Sequence, residues 1–122
     1  MDIERVHQWL DEIADTLPEP FFHRLNGGIC LLPHAKYNPV GHSGDLLIMG
    51  EYVHNHALGR YINIYFGSFA QLYPHATSEY IQQRLREVLL HEFTHHLESL
   101  AGEKDLELED ARWLRQYLES RR

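Results

Sequence analysis

The sequence predicts one α+β domain over residues 1–122, in which a small sheet of three to four strands is packed with helices. Three observations predict it. An amphipathic segment opens the chain, three short apolar segments separated by turn residues follow, and two longer helical patterns close it. The chain is 43% hydrophobic and 24% charged, a composition typical of a globular protein with one core.

The first helix is predicted over residues 2–16. Apolar residues recur there at helical spacing, at Ile3, Val6, Leu10 and Ile13. Pro18 follows within two residues of the predicted end, and proline is a helix stop signal.

Three apolar segments in the first half predict the strands. The segment "GICLLP" (28–33) reads as a short buried strand, and the Gly-, Pro- and Asn-containing segment 34–45 reads as a loop. The segments "LLIMGEYV" (46–53) and "RYINIYFGSF" (60–69) are joined by a turn that contains Gly59. This arrangement predicts a hairpin.

Two helices are predicted in the second half. The first runs from about residue 78 to 101 because an apolar stripe recurs at helical spacing between a possible N-cap, Thr77 or Ser78, and the stop signal Gly102. The second covers roughly residues 105–120 and has Trp113 and Leu114 to bury. The predicted order is therefore helix, three strands, two helices.

Composition also excludes several classes of function. The net charge is −7 and the basic residues are scattered, so we expect no nucleic-acid partner. The acidic start lacks the basic and apolar regions of a signal peptide, and no apolar run is long enough to cross a membrane. Cys30 is the single cysteine, which excludes an internal disulfide. These features predict a cytoplasmic protein without a membrane partner.

The ten histidines are unusual for this length, and two of them belong to an H-E-x-x-H motif at His91, Glu92 and His95. On a helical wheel with His91 at 0°, His95 lies at about 40° and Glu92 at about 100°. The two histidines thus share a face away from the apolar stripe, one turn apart, and their rings can converge on one ion. His96, at about 140°, lies off that face.

This arrangement matches the requirements of a zinc hydrolase. His91 and His95 would bind one Zn²⁺, which lowers the pKa of a bound water, and Glu92 would accept the proton of that water as general base. The bare motif is only moderately specific, because a helix with solvated surface histidines produces the same letters.

A catalytic zinc usually takes three protein ligands, so a third must come from elsewhere. Asp105 is preferred, because the chain can turn after Gly102 and bring this carboxylate back from outside the helix axis. Glu98 is the alternative: it faces the same way as both histidines, yet lies about 10 Å along the helix from His91. Glu98 is equally suited to bond His95 Nδ1. Further candidates are Glu103, Glu109 and Asp110.

Taken together, these segments resemble the minimal zincin-like metallopeptidases, small HExxH proteins known mainly from bacteria. The resemblance covers nearly the whole chain and rests on "WLDEIADTLP", "LLIMGEY", "RYINIYFGSF" and the motif helix with its doubled histidine at 95 and 96. That family typically continues H-E-x-x-H-x-x-G-x-x-D, with the Asp as third ligand. Here four additional residues, about one helical turn, precede Gly102, and Glu98 stands where the family has Gly.

The resemblance implies a zinc-dependent metallopeptidase that hydrolyses peptide or protein substrates. The strand "YINIYF" is expected to align an extended peptide by β-addition. The alternative is a metal-binding regulatory or protein-interaction module that retains the H-E-x-x-H site without physiological proteolysis, an alternative that the changed spacing before Gly102 favours.

Overall fold

The computed structural model describes residues 1–39, 46–103 and 108–120, with side chains described from 112 onward in the last range. It confirms the α+β class. The helices are α1 (Ile3–Asp15), α2 (Phe66–Leu72), α3 (Ser78–Gly102) and α4 (Leu108–Ser120). The strands are β1 (Gly28–Leu32), β2 (Lys36–Tyr37), β3 (Leu47–Ile48), β4 (Gly50–Asn55) and β5 (Gly59–Tyr65).

The first helix forms as its pattern predicts. The Asp2 side chain caps it by accepting a hydrogen bond from the Arg5 N–H at 2.9 Å. Val6 and Leu10 are its buried residues. After Pro18 a short 3-10 helix (Glu19–Phe22) places Phe21 in the core.

The main sheet has three strands in the order β1-β5-β4. Strand β5 is central; it pairs in parallel with β1 and antiparallel with β4, as the predicted hairpin requires. Ile62 and Ile64 of β5 are fully buried on the inner face. The predicted segment 46–53 is divided at Met49, and its first part, β3, pairs with β2 in a separate two-stranded ribbon. The main sheet is therefore mixed and smaller than a four-stranded alternative.

The predicted strand over residues 60–69 is too long. Strand β5 ends at Tyr65 and α2 begins at Phe66. Phe66, Phe69 and Tyr73 recur at helical spacing, so the apolar period changes from two to about 3.6 at this point. Phe69 is fully buried. The change was hidden because the residues of α2 are as apolar as those of the strand.

The motif lies on α3, which begins and ends close to the predicted positions. The Thr77 side chain accepts a hydrogen bond from the Tyr80 N–H at 3.2 Å and is the N-cap. Gly102 is the last helical residue rather than the first residue after the helix. Its apolar stripe is buried, at positions Ile81, Leu85, Leu89, Phe93, Leu97 and Leu100.

The core lies between the inner face of the sheet and α3, with α1 and α4 packed on other sides of α3. Among the described side chains of α4, Leu114 and Leu118 are buried, whereas Trp113 is 50% exposed, so the prediction that it is buried is wrong. Helix α4 is described from Leu108, so the predicted start at 105 lies outside the described residues. No helix in the described part of the chain has the length and apolar character needed to cross a membrane.

Candidate metal centre

The motif divides between two faces of α3. His91 and His95 are exposed, whereas Glu92 is 6% exposed and His96 is fully buried. The helical wheel places the histidine pair correctly, away from the apolar stripe. The helical wheel does not predict the burial of Glu92 and His96, because β4 and the segment around His23 bury them.

The exposed histidines converge as two metal ligands do. His91 Nε2 and His95 Nε2 are 3.2 Å apart, and the two ring planes are almost perpendicular. Two Zn–N bonds of about 2.0–2.1 Å at a tetrahedral angle hold their nitrogens about 3.3–3.4 Å apart. The pair therefore fits a shared Zn²⁺ with very little movement, and its exposure leaves room for further ligands.

Glu92 faces the start of β4. Its carboxylate accepts a hydrogen bond from the Tyr52 backbone N–H. Burial raises the pKa of Glu92, opposed by His95 and supported by Glu51. A buried carboxylate next to two converging imidazoles is placed to accept and return a proton.

Gly50 allows this close approach of β4 to α3. A Cβ at this position would lie 2.6 Å from Val88 Cγ1 and 3.2 Å from Glu92 Oε2. Real Cβ atoms essentially never come as close as the first of these distances. Any side chain at position 50 would therefore push β4 from α3 or displace the Glu92 carboxylate.

Strand β4 is an edge of the main sheet. Because Met49 C=O accepts the Tyr65 N–H, the antiparallel register directs the N–H and C=O groups of Gly50, Tyr52 and His54 away from β5. The bond from the Tyr52 N–H to Glu92 agrees with this alternation. Within the described part of the chain, β4 is thus an open edge of the sheet, and this edge passes directly beside the motif.

A hydrogen-bonded chain holds the buried face of α3. His96 Nε2 is 2.8 Å from the His23 carbonyl oxygen, and His96 Nδ1 is 2.9 Å from the Tyr52 hydroxyl. Since a carbonyl only accepts, Nε2 carries the proton, and Nδ1 of the neutral ring accepts from the hydroxyl. Burial lowers the pKa of His96 to about 4, which keeps the ring neutral.

A second buried group anchors the end of α3. Arg60 of β5 is 2% exposed, and its Nη2 lies 2.6 Å from Glu103 Oε2. Its Nε donates to Ser99 Oγ at 3.3 Å. The Arg60 guanidinium holds the pKa of the Glu103 carboxyl below its usual range. Ser99 lies in the last turn of α3, and Glu103 is the C-cap of this helix.

The candidates for a third ligand differ in their position relative to the histidine pair. Glu98 Oε2 lies 3.9 Å from His95 Nδ1, beyond hydrogen-bond distance and on the side of the ring away from Nε2. Glu103 pairs with Arg60, away from the histidine pair. Asp105 and the side chains of Glu109 and Asp110 lie outside the described residues. Among the residues that are described, no three His, Cys, Asp or Glu side chains form a group that could hold a metal.

A groove runs between α3 and β4 past the motif. Its two halves share Ile48, Gly50, His91 and Glu92. One half extends toward the start of α3 and the other toward its end, where Glu51, Tyr52, His95, Glu98 and Ser99 line it. The histidine pair and Glu92 therefore stand at the middle of an open groove along one edge of the sheet.

Three functional positions escape the sequence patterns. Tyr52 and Gly50 look like ordinary residues of a strand, and only the meeting of β4 with α3 gives them a role. His96 had one available signal: its wheel angle is only about 60° from the centre of the apolar stripe. A polar residue so close to that stripe is a candidate for burial with satisfied hydrogen bonds.

The comparison with solved structures gives one informative result. A conserved hypothetical protein from Thermus thermophilus matches with a TM-score of 0.72 and 30% sequence identity, over 84% of this chain and 99% of that chain. A scan against protein-family models and a search of curated proteins gave no match.

Proposed function

We propose that this chain, which belongs to the same family as this conserved hypothetical protein, is a zinc-dependent metallopeptidase of the minimal zincin-like type. One observation carries the proposal. Two exposed imidazole nitrogens 3.2 Å apart stand in an open groove beside a buried carboxylate with a raised pKa. In the metal-free protein these two nitrogens are within hydrogen-bond distance of each other, and the same separation suits two ligands of one Zn²⁺.

Each residue of the site has a distinct task under this proposal. His91 and His95 hold the ion, and Glu98 orients the His95 ring through Nδ1. Zinc, when bound, supplies a Lewis acid that polarises the peptide carbonyl and makes water acidic. Glu92 accepts the proton of the attacking water and returns it to the leaving amine. The Tyr52 N–H fixes the Glu92 carboxylate in place for this transfer.

The strand expected to receive the substrate needs a correction. The segment "YINIYF" belongs to β5, which is paired on both sides and has no free edge for a peptide. Strand β4 is the edge beside Glu92, so we assign peptide alignment to β4. The sequence suggested the more apolar strand, which is central for that very reason.

Asp105 remains the proposed third ligand, with Glu98 as the alternative. The position of Glu98 beside His95 Nδ1, on the side of the ring away from Nε2, favours an orienting role for Glu98 over ligation of the ion. An Asp105→Asn variant that keeps full zinc affinity, beside a Glu98→Gln variant that loses it, would reverse this assignment.

The alternative function is a metal-binding regulatory or interaction module without proteolysis. It is favoured by the changed spacing between His95 and Gly102. The two functions differ in turnover, because the module binds zinc stoichiometrically but leaves peptides intact.

The test uses the full chain without a histidine tag. We expect one equivalent of zinc to bind, and we expect the loaded protein to cleave members of a diverse peptide library. Glu92→Gln should bind the same amount of zinc and lose activity by at least about 100-fold. Less than a tenth of an equivalent of bound zinc overturns both functions. Stoichiometric zinc with an uncut library overturns the peptidase and leaves the binding module.

A further inference from the structure

The half of the groove toward the start of α3 forms a pocket with largely apolar walls. It has a volume of about 610 Å³, and its apolar lining residues are Ile48, Met49, Val88 and Leu90. His91 and Glu92 line its inner end, and Arg84 and Glu87 complete the lining. The pocket therefore opens directly onto the position where Glu92 is proposed to act.

The two charged residues in the lining neutralise each other. Arg84 Nη1 contacts Glu87 Oε2, and Arg84 Nε donates to the Tyr73 hydroxyl at 3.1 Å. Glu87 also accepts from Gln83 Nε2 at 3.2 Å. Because both charges already have partners, neither is available to select a charged ligand, and the apolar walls decide what the pocket accepts.

The other half of the groove lacks such walls. Glu51, Tyr52, His95, Glu98 and Ser99 line it, and among the described residues Ile48, which both halves share, is its one aliphatic side chain. An extended chain lying along β4 across Glu92 would thus place one flank at the apolar pocket and the other over polar groups. This asymmetry gives the groove a means of selecting residues on one side only.

We propose that this pocket is the subsite for an apolar side chain of the peptide substrate, at the residue next to the scissile bond. The inference rests on the proposed peptidase function, and it names the substrate class: peptides with a leucine-like or aromatic residue on one side of the cleaved bond. Burial of such a side chain against Met49 and Val88 removes it from water, which is the source of the selectivity.

The chain offers a direct probe of the pocket, because it has two methionines, Met1 and Met49. Met49 lies in the wall of the pocket with Sδ 3.8 Å from Arg84 Nη2, whereas Met1 is 50% exposed at the chain start. Labelling both methyl groups with ¹³C gives one reporter inside the pocket and one internal control.

The experiment titrates the labelled protein, without metal, with 4-methylpentanamide. A saturable shift of the Met49 methyl resonance, with Met1 unmoved, is expected. With zinc bound, N-hydroxy-4-methylpentanamide should bind at least about 10-fold tighter than N-hydroxy-5-aminopentanamide, a difference typical of one apolar pocket. The two hydroxamates share the zinc-binding group and differ in the side chain that enters the pocket.

Met49→Leu is the matched control. It keeps the volume and apolar character, removes the Met49 signal and so assigns it, and should retain the preference. Met49→Gln, close in shape but polar, should reduce the preference to less than about 3-fold. Both variants should bind zinc as the wild type does, which also verifies that they fold.

The failures of the two proposals are distinguishable. If zinc binds and peptides are cut, yet the Met49 methyl is unmoved or both hydroxamates bind equally, the subsite is wrong and the peptidase stands. If the amide shifts Met49 but no zinc binds and nothing is cut, the peptidase falls, and with it the peptide as the occupant of the pocket.

Discussion

The two faces of α3 around the motif differ in how firmly their side chains are held. On the outer face, His91 and His95 are exposed and directed toward each other, with Glu98 near one ring. On the inner face, both nitrogens of His96 are bonded and Glu92 is fixed by a backbone N–H. One helix thus presents an open ligand pair on a rigid support, so ligand binding and stability should respond to different substitutions.

The largest effect should come from the outer face. Replacing His91 or His95 by Ala removes one of the two converging ligands. Loss of a residue that only supports a ligand weakens metal binding by about 10–100-fold, so loss of the ligand itself should weaken zinc binding by more than about 100-fold. The free energy of unfolding of the metal-free protein should change by less than about 0.5 kcal/mol, because both side chains are exposed. Chelator competition and urea denaturation measure the two quantities.

The inner face should show the opposite response. His96→Ala leaves a cavity and deprives both the Tyr52 hydroxyl and the His23 carbonyl of a partner, so we expect a loss of about 2–4 kcal/mol in unfolding free energy. Tyr52→Phe removes one of these bonds and should cost about 1 kcal/mol. A His96→Ala protein as stable as the wild type would contradict the assigned support role.

A substitution at Gly50 should affect both stability and activity, because Gly50 sets the distance between β4 and Glu92. The Cβ of Gly50→Ala overlaps Val88, and the variant should lose about 1–3 kcal/mol of stability and about 10–100-fold in peptidase activity, with zinc stoichiometry unchanged. Gly102→Ala is the control, since a Cβ there meets nothing within 4 Å. Equal kcat/KM values for the two variants would show that the close approach has no catalytic role.

The smallest effect should appear at the end of α3 and depend on pH. Arg60 lowers the pKa of Glu103 from its ordinary 4.5, so the pair stabilises the fold above that value and its contribution is lost as the pH falls through the lowered pKa. Glu103→Gln should therefore lower the Tm at pH 7, and its difference from the wild type should shrink as the pH falls below 4.5. A Tm difference that stays constant from pH 7 to pH 3 would rule out this ion pair as the cause.

Local patterns were sufficient for the parts of the fold that a single segment determines. The spacing of Val6 and Leu10, the cap at Thr77 and the shared face of His91 and His95 are properties of one helix each. The start of α2 was missed because Phe66 and Phe69 suit a strand and a helix equally well by composition.

Contacts between distant segments were beyond these patterns. The parallel pairing of β1 with β5 joins residues 33 positions apart, such as Gly28 and Tyr61, and no local signal encodes it. The burial of His96 likewise requires Tyr52 and His23, 44 and 73 residues away. The predicted ligand Asp105 lies outside the described residues. The motif residues of α3 could thus be predicted from the sequence of one helix. The contacts that β4 and the segment around His23 make with this helix could not.

The open edge of β4 has a consequence for how a substrate can be gripped. Of its three outward-facing residues, Tyr52 already gives its N–H to Glu92, and the N–H groups of Gly50 and His54 also face away from β5. Four residues of extended chain separate them by about 13 Å. A docked peptide would therefore accept backbone hydrogen bonds from β4 at two positions, one on each side of the Glu92 carboxylate. The bond to be cut would lie between these two positions.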